Sequence, residues 1–321
     1  MIGSKMTANM FTIRNYRPAD FESYLSLHLE TEWHEPSGRL ISTQRLSDDL
    51  GQPNFYPQEN IFVAELNGRL VGYAGLHLEP DTGRALLKGL IHPLHRRKGV
   101  ATKLFARARK RAVQAGAAVL QISIPQTNSA AKRMLERLGL KYIRNFLELK
   151  LETGNIRLPH DNPGPYLSRS LLHGEEERLT ALQNRSFAGS WGFNPNSVAE
   201  IVYWLNMSGC SPNDVIMTYY QDTPVGYCWT RIDPAEDGVG TAITGMIHML
   251  GVDPDFRKKG IGKIVLAAGL SYLKRKGLKT VVLTVDSQNP AALALYESTG
   301  FTMYSETEWY ELKLEQPSRG G

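Results

Sequence analysis

The stretch Val252-Asp253-Pro254-Asp255-Phe256-Arg257-Lys258-Lys259-Gly260-Ile261-Gly262 has the residue types and spacing of an anion site. The apolar run before it, Met246 to Val252, reads as a buried strand that Pro254 ends. Ile264, Val265, Leu266 and Leu270 follow with helical spacing. The chain therefore leaves a strand, turns tightly and enters a helix N-terminus. Such a turn presents free backbone N–H groups and the positive end of a helix dipole, both suited to phosphate. Gly260 and Gly262 let the backbone come close to an anion, and Arg257, Lys258 and Lys259 add positive charge beside it. A nucleoside-triphosphate loop would need Gly-Lys followed by Ser or Thr. A dinucleotide fingerprint would need a third glycine and a later acidic residue. Neither pattern is here.

The same pattern occurs earlier. Ile91-His92-Pro93-Leu94-His95-Arg96-Arg97-Lys98-Gly99-Val100-Ala101 matches position by position at an offset of 252 − 91 = 161. The offset then places Gly116 on Gly277, Asn128 on Asn289, Ala131 on Ala292 and Gly139 on Gly300. A register held from Ile91 to Leu140 makes the chain two copies of one domain. The period is far too long for a solenoid.

Arg-x-x-Gly-x-Gly after a Val-x-Pro strand end resembles the pyrophosphate loop of the GNAT superfamily, the acetyl-CoA-dependent N-acyltransferases. A second signature of that family resembles Asn289-Pro290-Ala291-Ala292-Leu293-Ala294-Leu295-Tyr296-Glu297-Ser298-Thr299-Gly300-Phe301. The resemblance implies an α/β fold of two tandem domains. Each would have a mixed, mostly antiparallel twisted sheet, helices on both faces and two splayed parallel central strands. In the second copy those strands are Met246–Val252 and Lys279–Val285. The resemblance further implies acetyl-CoA as co-substrate, its acyl-pantetheine bonded by the backbone of Leu250, Gly251 and Val252. N–H groups across Arg257, Lys258, Lys259, Gly260, Ile261 and Gly262 would hold the pyrophosphate. Asn289 would bond the pantetheine arm, and Tyr296 would be the acid that meets the leaving thiolate. The matching positions of the first copy are Arg96, Arg97, Lys98, Gly99, Val100, Ala101 and Asn128. No metal is implied.

Attack of a neutral amine on a thioester needs a route for the amine's proton, an N–H donor for the oxyanion and an acid for the thiolate. Many relatives in the family place a Glu on the strand before the loop, but this strand carries Met246 and His248 and no carboxylate. His248 is the leading candidate base, because imidazole titrates near neutrality. A structural role for it stays open. So do Asp286, Glu308 and a water relay. In the first copy Leu135 replaces Tyr296, and Lys88 is the one titratable group from Ala85 to Ile91. Catalysis is therefore expected in the second copy, with the first a scaffold whose binding of CoA is left open. The arrangement is also similar to mycothiol synthase-like tandem acetyltransferases, which act on a cysteinyl-sugar amine. The competing class is a non-catalytic acyl-CoA-binding regulator.

The 321 residues suit two ordinary domains, and a hydrophobic content of 42% supports packed cores. The net charge of +5 suits an anionic cofactor, and no nucleic-acid reader motif accompanies it. The expected partner is a small-molecule or peptide amine, without nucleic acid or membrane, for a monomer or homodimer. No apolar run approaches a membrane span, and Met1 to Met10 lacks a secretion signal, so a cytoplasmic location is expected. Cys210 and Cys228 are not spaced as a metal pair and read as buried free thiols.

The expected order is a disordered lead over 1–10, a first domain over 11–152, a linker over 153–165, a second domain over 166–314 and a tail over 315–321. Asn67-Gly68 between two apolar runs predicts a hairpin. Ser42 or Thr43 predicts a helix cap. Each domain is expected to close with two short strands, within 142–151 and at Thr302–Ser305 and Trp309–Leu314. Trp191 and Phe193 either anchor a loop or line a substrate mouth.

Overall fold

A computed structural model describes residues 11–36, 42–156, 164–233 and 244–315. The expected lead, most of the linker and nearly all of the tail lie outside these. The chain divides into two compact units.

Unit 1 holds residues up to Ile124, Asn128–Ile143 and the chain from Trp309 onward. Its elements are β1 (Thr12–Asn15), α1 (Phe21–His34), α2 (Thr43–Leu50), α3 (Pro57–Asn60), β2 (Ile61–Leu66), β3 (Arg69–Glu79), β4 (Arg84–Ile91), α4 (Val100–Gln114), β5 (Val119–Pro125) and α5 (Ser129–Arg137). Ser42 caps α2 by accepting from the Arg45 N–H at 3.0 Å. Asn67 and Gly68 turn the β2–β3 hairpin at φ 51° and 78°, the left-handed pair that such a turn requires. β4 and β5 are the parallel pair, registered from Arg84↔Val119 to Leu86↔Gln121. α4 buries Val100, Leu104, Phe105, Ala108 and Ala112, one helical stripe, against this sheet.

Unit 2 holds Pro125–Thr127 and Arg144–Glu308. It contains most of β6 (Lys141–Glu152), then β7 (Tyr166–Ser170), α6 (Glu176–Phe187), α7 (Val198–Leu205), β8 (Val215–Tyr220), β9 (Thr223–Asp233), β10 (Thr244–Val252), α8 (Ile261–Arg275), β11 (Thr280–Asp286), α9 (Pro290–Thr299) and the start of β12 (Thr302–Lys313). Ser197 and Glu200 form a reciprocal capping box on α7. α8 covers one face of the sheet through Ile261, Val265, Leu266, Leu270 and Leu273. Gly269 lets it come close, since a Cβ there would lie 2.3 Å from Cys228 Sγ. α6 and α7 cover the other face over Met217, Tyr227 and Trp229.

The units depart from the contiguous boundaries expected at 11–152 and 166–314. Residues 144–152 of β6 belong to unit 2, where Phe146 to Glu152 pair with β11, while β12 from Trp309 belongs to unit 1. Leu314 donates to the Ala118 carbonyl at 2.8 Å within that unit. β6 and β12 are equivalent in the repeat, since 141 + 161 = 302 and 152 + 161 = 313. The later part of each copy's last strand thus belongs to the other copy's unit. These strands also correct the expected pairs of short strands: each is one strand of 12 residues. Neither contains the Gly or Pro that would break it.

Candidate active site

The site begins with the parting of β10 and β11. They pair in parallel from Thr244↔Thr280 to Ile247↔Leu283 and no further among the described residues. The register of β10 against β9 then shifts between Ile247 and Met249, so His248 is the extra residue of a bulge. Past it, Leu250, Gly251 and Val252 pair with Cys228, Tyr227 and Gly226 of β9. On the other side Thr284, Val285 and Asp286 pair with β6. The two strands therefore turn unpaired edges toward each other, a slot lined by peptide groups that an amide-bearing arm can satisfy.

The loop follows at the mouth of this slot. Asp253 accepts from the Asp255 N–H at 3.0 Å and is gripped by Arg185, Nε to Oδ2 at 2.7 Å and Nη2 to Oδ1 at 3.0 Å. Arg185 and burial act on the Asp253 carboxyl in opposite senses, and the guanidinium prevails, holding it below its ordinary range. Lys258 sits at φ 61° and Gly260 at φ 79°. Gly260 precedes α8 without any side-chain cap, so the helix opens with uncommitted N–H groups. At Gly260 the need for glycine is the backbone angle, because a Cβ there would meet nothing within 4 Å. The expected charge of Arg257 and Lys259 is partly spent inside the protein. Arg257 donates to the carbonyls of Val252 and Ser186, and Lys259 Nζ donates to the Asp255 carbonyl at 3.0 Å. These side chains brace the turn, and Lys258 is left at its rim.

Unit 1 repeats this loop closely. Arg97 and Gly99 hold φ 60° and 78°, Arg96 Nε donates to the Ile91 carbonyl at 3.1 Å, and Lys98 Nζ donates to the Leu94 carbonyl at 3.0 Å. His92 stands in place of Asp253 and accepts from the Leu94 N–H at 3.3 Å. Val100 and Ala101 open α4 as Ile261 and Gly262 open α8. Asn128 and Asn289 both cap the next helix, accepting from Ala131 at 3.0 Å and Ala292 at 3.1 Å. Their Oδ1 atoms are therefore committed, and the amide NH2 of each is the group that can reach a ligand. A cavity of about 280 Å³ in unit 1, lined by Phe62, Arg107, Lys110 and Arg111, runs along the later part of α4 and not at its cradle.

Tyr296 is 7% exposed and packs in the α8-side core with Cys228, Val265, Val285 and Phe301, its ring 5.7 Å from that of Phe301. Leu250 and Val252 pack against the same cluster. Burial, with Cys228 adding to it, holds the phenol well above its ordinary titration range. The Cys228 thiol is pushed up to about 12 by burial alone, so it is inert. Cys210 is only partly buried, against expectation. His248 is exposed and stands edge-on to Trp229 at 5.9 Å, on the α6 face. Tyr296 and His248 thus flank the slot from opposite faces. Of the weaker candidates, Asp286 is ion-paired with Arg144. Trp191 packs on Phe146 at 5.8 Å and under the Arg144 guanidinium at 4.9 Å, as a loop anchor does.

The Arg185–Asp253 clamp escaped sequence reasoning, because 68 residues separate its partners. A second carboxylate in this unit, Glu175, accepts from Arg169 twice at 2.7 Å, from the Leu172 N–H and from the Tyr219 hydroxyl. Arg169 is the main cause that lowers it from 4.5 to about 2. A depressed carboxylate stabilises the fold above its unfolded pKa and ceases to do so as pH falls through the folded one. The Tm should therefore drop between pH 4.5 and 2, and Glu175→Gln should flatten part of that drop in a calorimetric pH series. An unchanged slope would show that the pair contributes nothing.

The chain matches the model of the Acetyltransferase (GNAT) family over residues 22–140 and 175–301. A mycothiol acetyltransferase of Stackebrandtia nassauensis is 30% identical over 266 residues, covering 80% of this chain and 84% of that protein. Two solved structures share the fold. A GCN5-related N-acetyltransferase from Sphaerobacter thermophilus has a TM-score of 0.71 at 18% identity, covering 96% of each chain. A tandem GNAT protein from the clavulanic acid biosynthesis pathway has a TM-score of 0.73 at 16% identity, covering 96% of this chain and all of the other. This chain belongs to the GNAT family. It is an acyltransferase in tandem form, and acetyl-CoA is the family's acyl donor. No helix among the described residues is long and apolar enough to cross a membrane.

Proposed function

We propose that unit 2 transfers the acetyl group of acetyl-CoA to a primary amine by direct attack within a ternary complex. The observation that carries this reading is the unpaired edge of β10 facing that of β11, leading to an uncapped α8 with Tyr296 packed alongside. Main-chain N–H groups from Arg257 to Gly262 hold the pyrophosphate, with Lys258 at the rim. Peptide groups of Leu250, Gly251 and Val252 hold the acyl-pantetheine, and the Asn289 amide bonds its arm. A main-chain N–H of β10 meets the oxyanion. His248, on the acceptor side, takes the amine's proton, and Tyr296 hydrogen-bonds the departing sulfur.

Unit 1 supports a different role. Its cradle, Arg96 to Ala101 with Asn128, suits a CoA molecule, but Leu135 stands at the acid's position and is 1% exposed. It binds or braces and does not transfer.

The name of the Stackebrandtia relative points to a mycothiol-type acceptor. The family resemblance would put a carboxylate at Met246 or His248, and its absence from both supports a different arrangement for proton removal here. The general test is thiol release from acetyl-CoA across a broad amine panel. No release with any amine, together with CoA binding, would favour a regulatory binding protein. His248→Ala should lower kcat/KM by about 10²-fold and abolish the low-pH limb of the rate profile. A retained limb would transfer the proton to another group.

A further inference from the structure

The cavity of about 280 Å³ in unit 1 is close in size to the smaller small-molecule sites. Arg107, Lys110 and Arg111 of α4 line it together with Asn15, Glu59 and Phe62. Arg111 is committed within the fold. Its Nη2 donates to Glu59 Oε2 at 2.7 Å and its Nε to Asn60 Oδ1 at 3.0 Å. The other two cations are not. Arg107 reaches Asn15 Oδ1 only at 3.4 Å, longer than an ordinary bond, and its guanidinium lies over the Phe62 ring at 5.7 Å. Lys110 has no partner among the described residues.

The second copy separates what the fold needs from what this cavity adds. At the offset of 161, Arg107, Lys110 and Arg111 correspond to Ala268, Ser271 and Tyr272 of α8. The bond made by Arg111 is kept in another form. Tyr272 Oη donates to Asp214 Oδ1 at 2.7 Å, and Asp214 precedes β8 as Asn60 precedes β2. Arg107 and Lys110 have no charged counterpart. Phe62, opposite Asn15 at the end of β1, becomes Ile216, opposite Ser170 at the end of β7. The two cations are thus an addition to a shared fold, and local forces do not favour them. Like charges three and four residues apart on a helix repel. The helix dipole favours cations in the last turn, where Arg111 lies and the other two do not.

We propose that this cavity binds a small organic phosphate carrying two negative charges. Two uncommitted cations match that charge, and a phosphomonoester is close to doubly ionised above pH 7. Its oxygens accept from the guanidinium fork of Arg107 and the ammonium of Lys110. Phe62, 2% exposed, gives the organic group an apolar floor. A neutral or cationic ligand would leave both cations uncompensated. The site is separate from the loop at the start of α4, since the seven residues from Val100 to Arg107 span about 10 Å of helix.

Calorimetric titration of phenyl phosphate into the full chain tests this, with acetyl-CoA present to occupy the diphosphate loops. Wild type should bind with a Kd of about 1 mM or tighter. Arg107→Gln and Lys110→Gln should each weaken binding about tenfold, by removing a charge-assisted bond. Both variants should fold with an unchanged Tm, because α8 forms with Ala268 and Ser271 at these positions. Benzyl alcohol, which has the ring without the charge, should bind at least about tenfold more weakly than phenyl phosphate. Absence of binding to wild type would overturn the proposal. So would unchanged affinity in either variant, which would place the anion elsewhere, or equal binding of benzyl alcohol, which would make the cavity an apolar one. The measurement requires no acetyl transfer, so its outcome is independent of the reading of unit 2.

Discussion

Tyr296→Phe is expected to lower kcat by about 10²-fold while acetyl-CoA affinity stays near wild type. The phenol's environment sets the size of the effect. Burial raises its pKa, so it is protonated throughout the working range and has a hydrogen to offer. A thiol titrates near 8.5 in water, below even an ordinary phenol. Full transfer of the proton to the departing sulfur is therefore uphill. The useful interaction is a hydrogen bond to the sulfur as it gains charge, and bonds to charged groups are worth about 1.5–3 kcal/mol. At 1.36 kcal/mol per decade, that is one to two powers of ten. The phenylalanine ring keeps the packing against Phe301, so the Tm should barely move. Single-turnover acetyl transfer with saturating donor checks this. Undiminished turnover would remove Tyr296 from the mechanism.

Gly260→Val should weaken acetyl-CoA binding by about tenfold or more. Gly260 lies at φ 79°, where a β-branched residue is strained by about 1–3 kcal/mol. Space is not the obstacle, since the position is open. The chain would relieve the strain by turning the peptide, and the first N–H groups of α8 would turn with it. Lys258, already left-handed at φ 61°, adds a second constrained residue to the same turn. Titration calorimetry with acetyl-CoA is the measurement. Wild-type affinity in the valine variant would mean that the loop does not grip the diphosphate.

The local parts of this site were legible in the residues. The loop between β10 and α8, the asparagine caps at 128 and 289, and the Asn67-Gly68 hairpin each follow from a few neighbouring residues whose backbone angles or caps admit little else. The 161-residue offset showed that both copies make the same turn, even where Asp253 becomes His92. What escaped was non-local. β6 and β12 occupy equivalent positions of the repeat, so a pattern of apolar residues cannot say which copy's sheet each one joins. Only long-range pairing decides that, as between Leu147 and Val285. The side chains of Arg257 and Lys259 were expected beside the anion, but nearby carbonyls compete for them.

The central claim is that the unpaired edges of β10 and β11 receive the thioester of acetyl-CoA and bring its sulfur to Tyr296. A crystal structure of the full chain soaked with acetyl-CoA tests it most directly. The account predicts diphosphate density on the N–H groups between Lys258 and Gly262, with the thioester sulfur within about 3.5 Å of the Tyr296 hydroxyl. Density confined to the loop of unit 1, or a sulfur remote from that phenol, would contradict it.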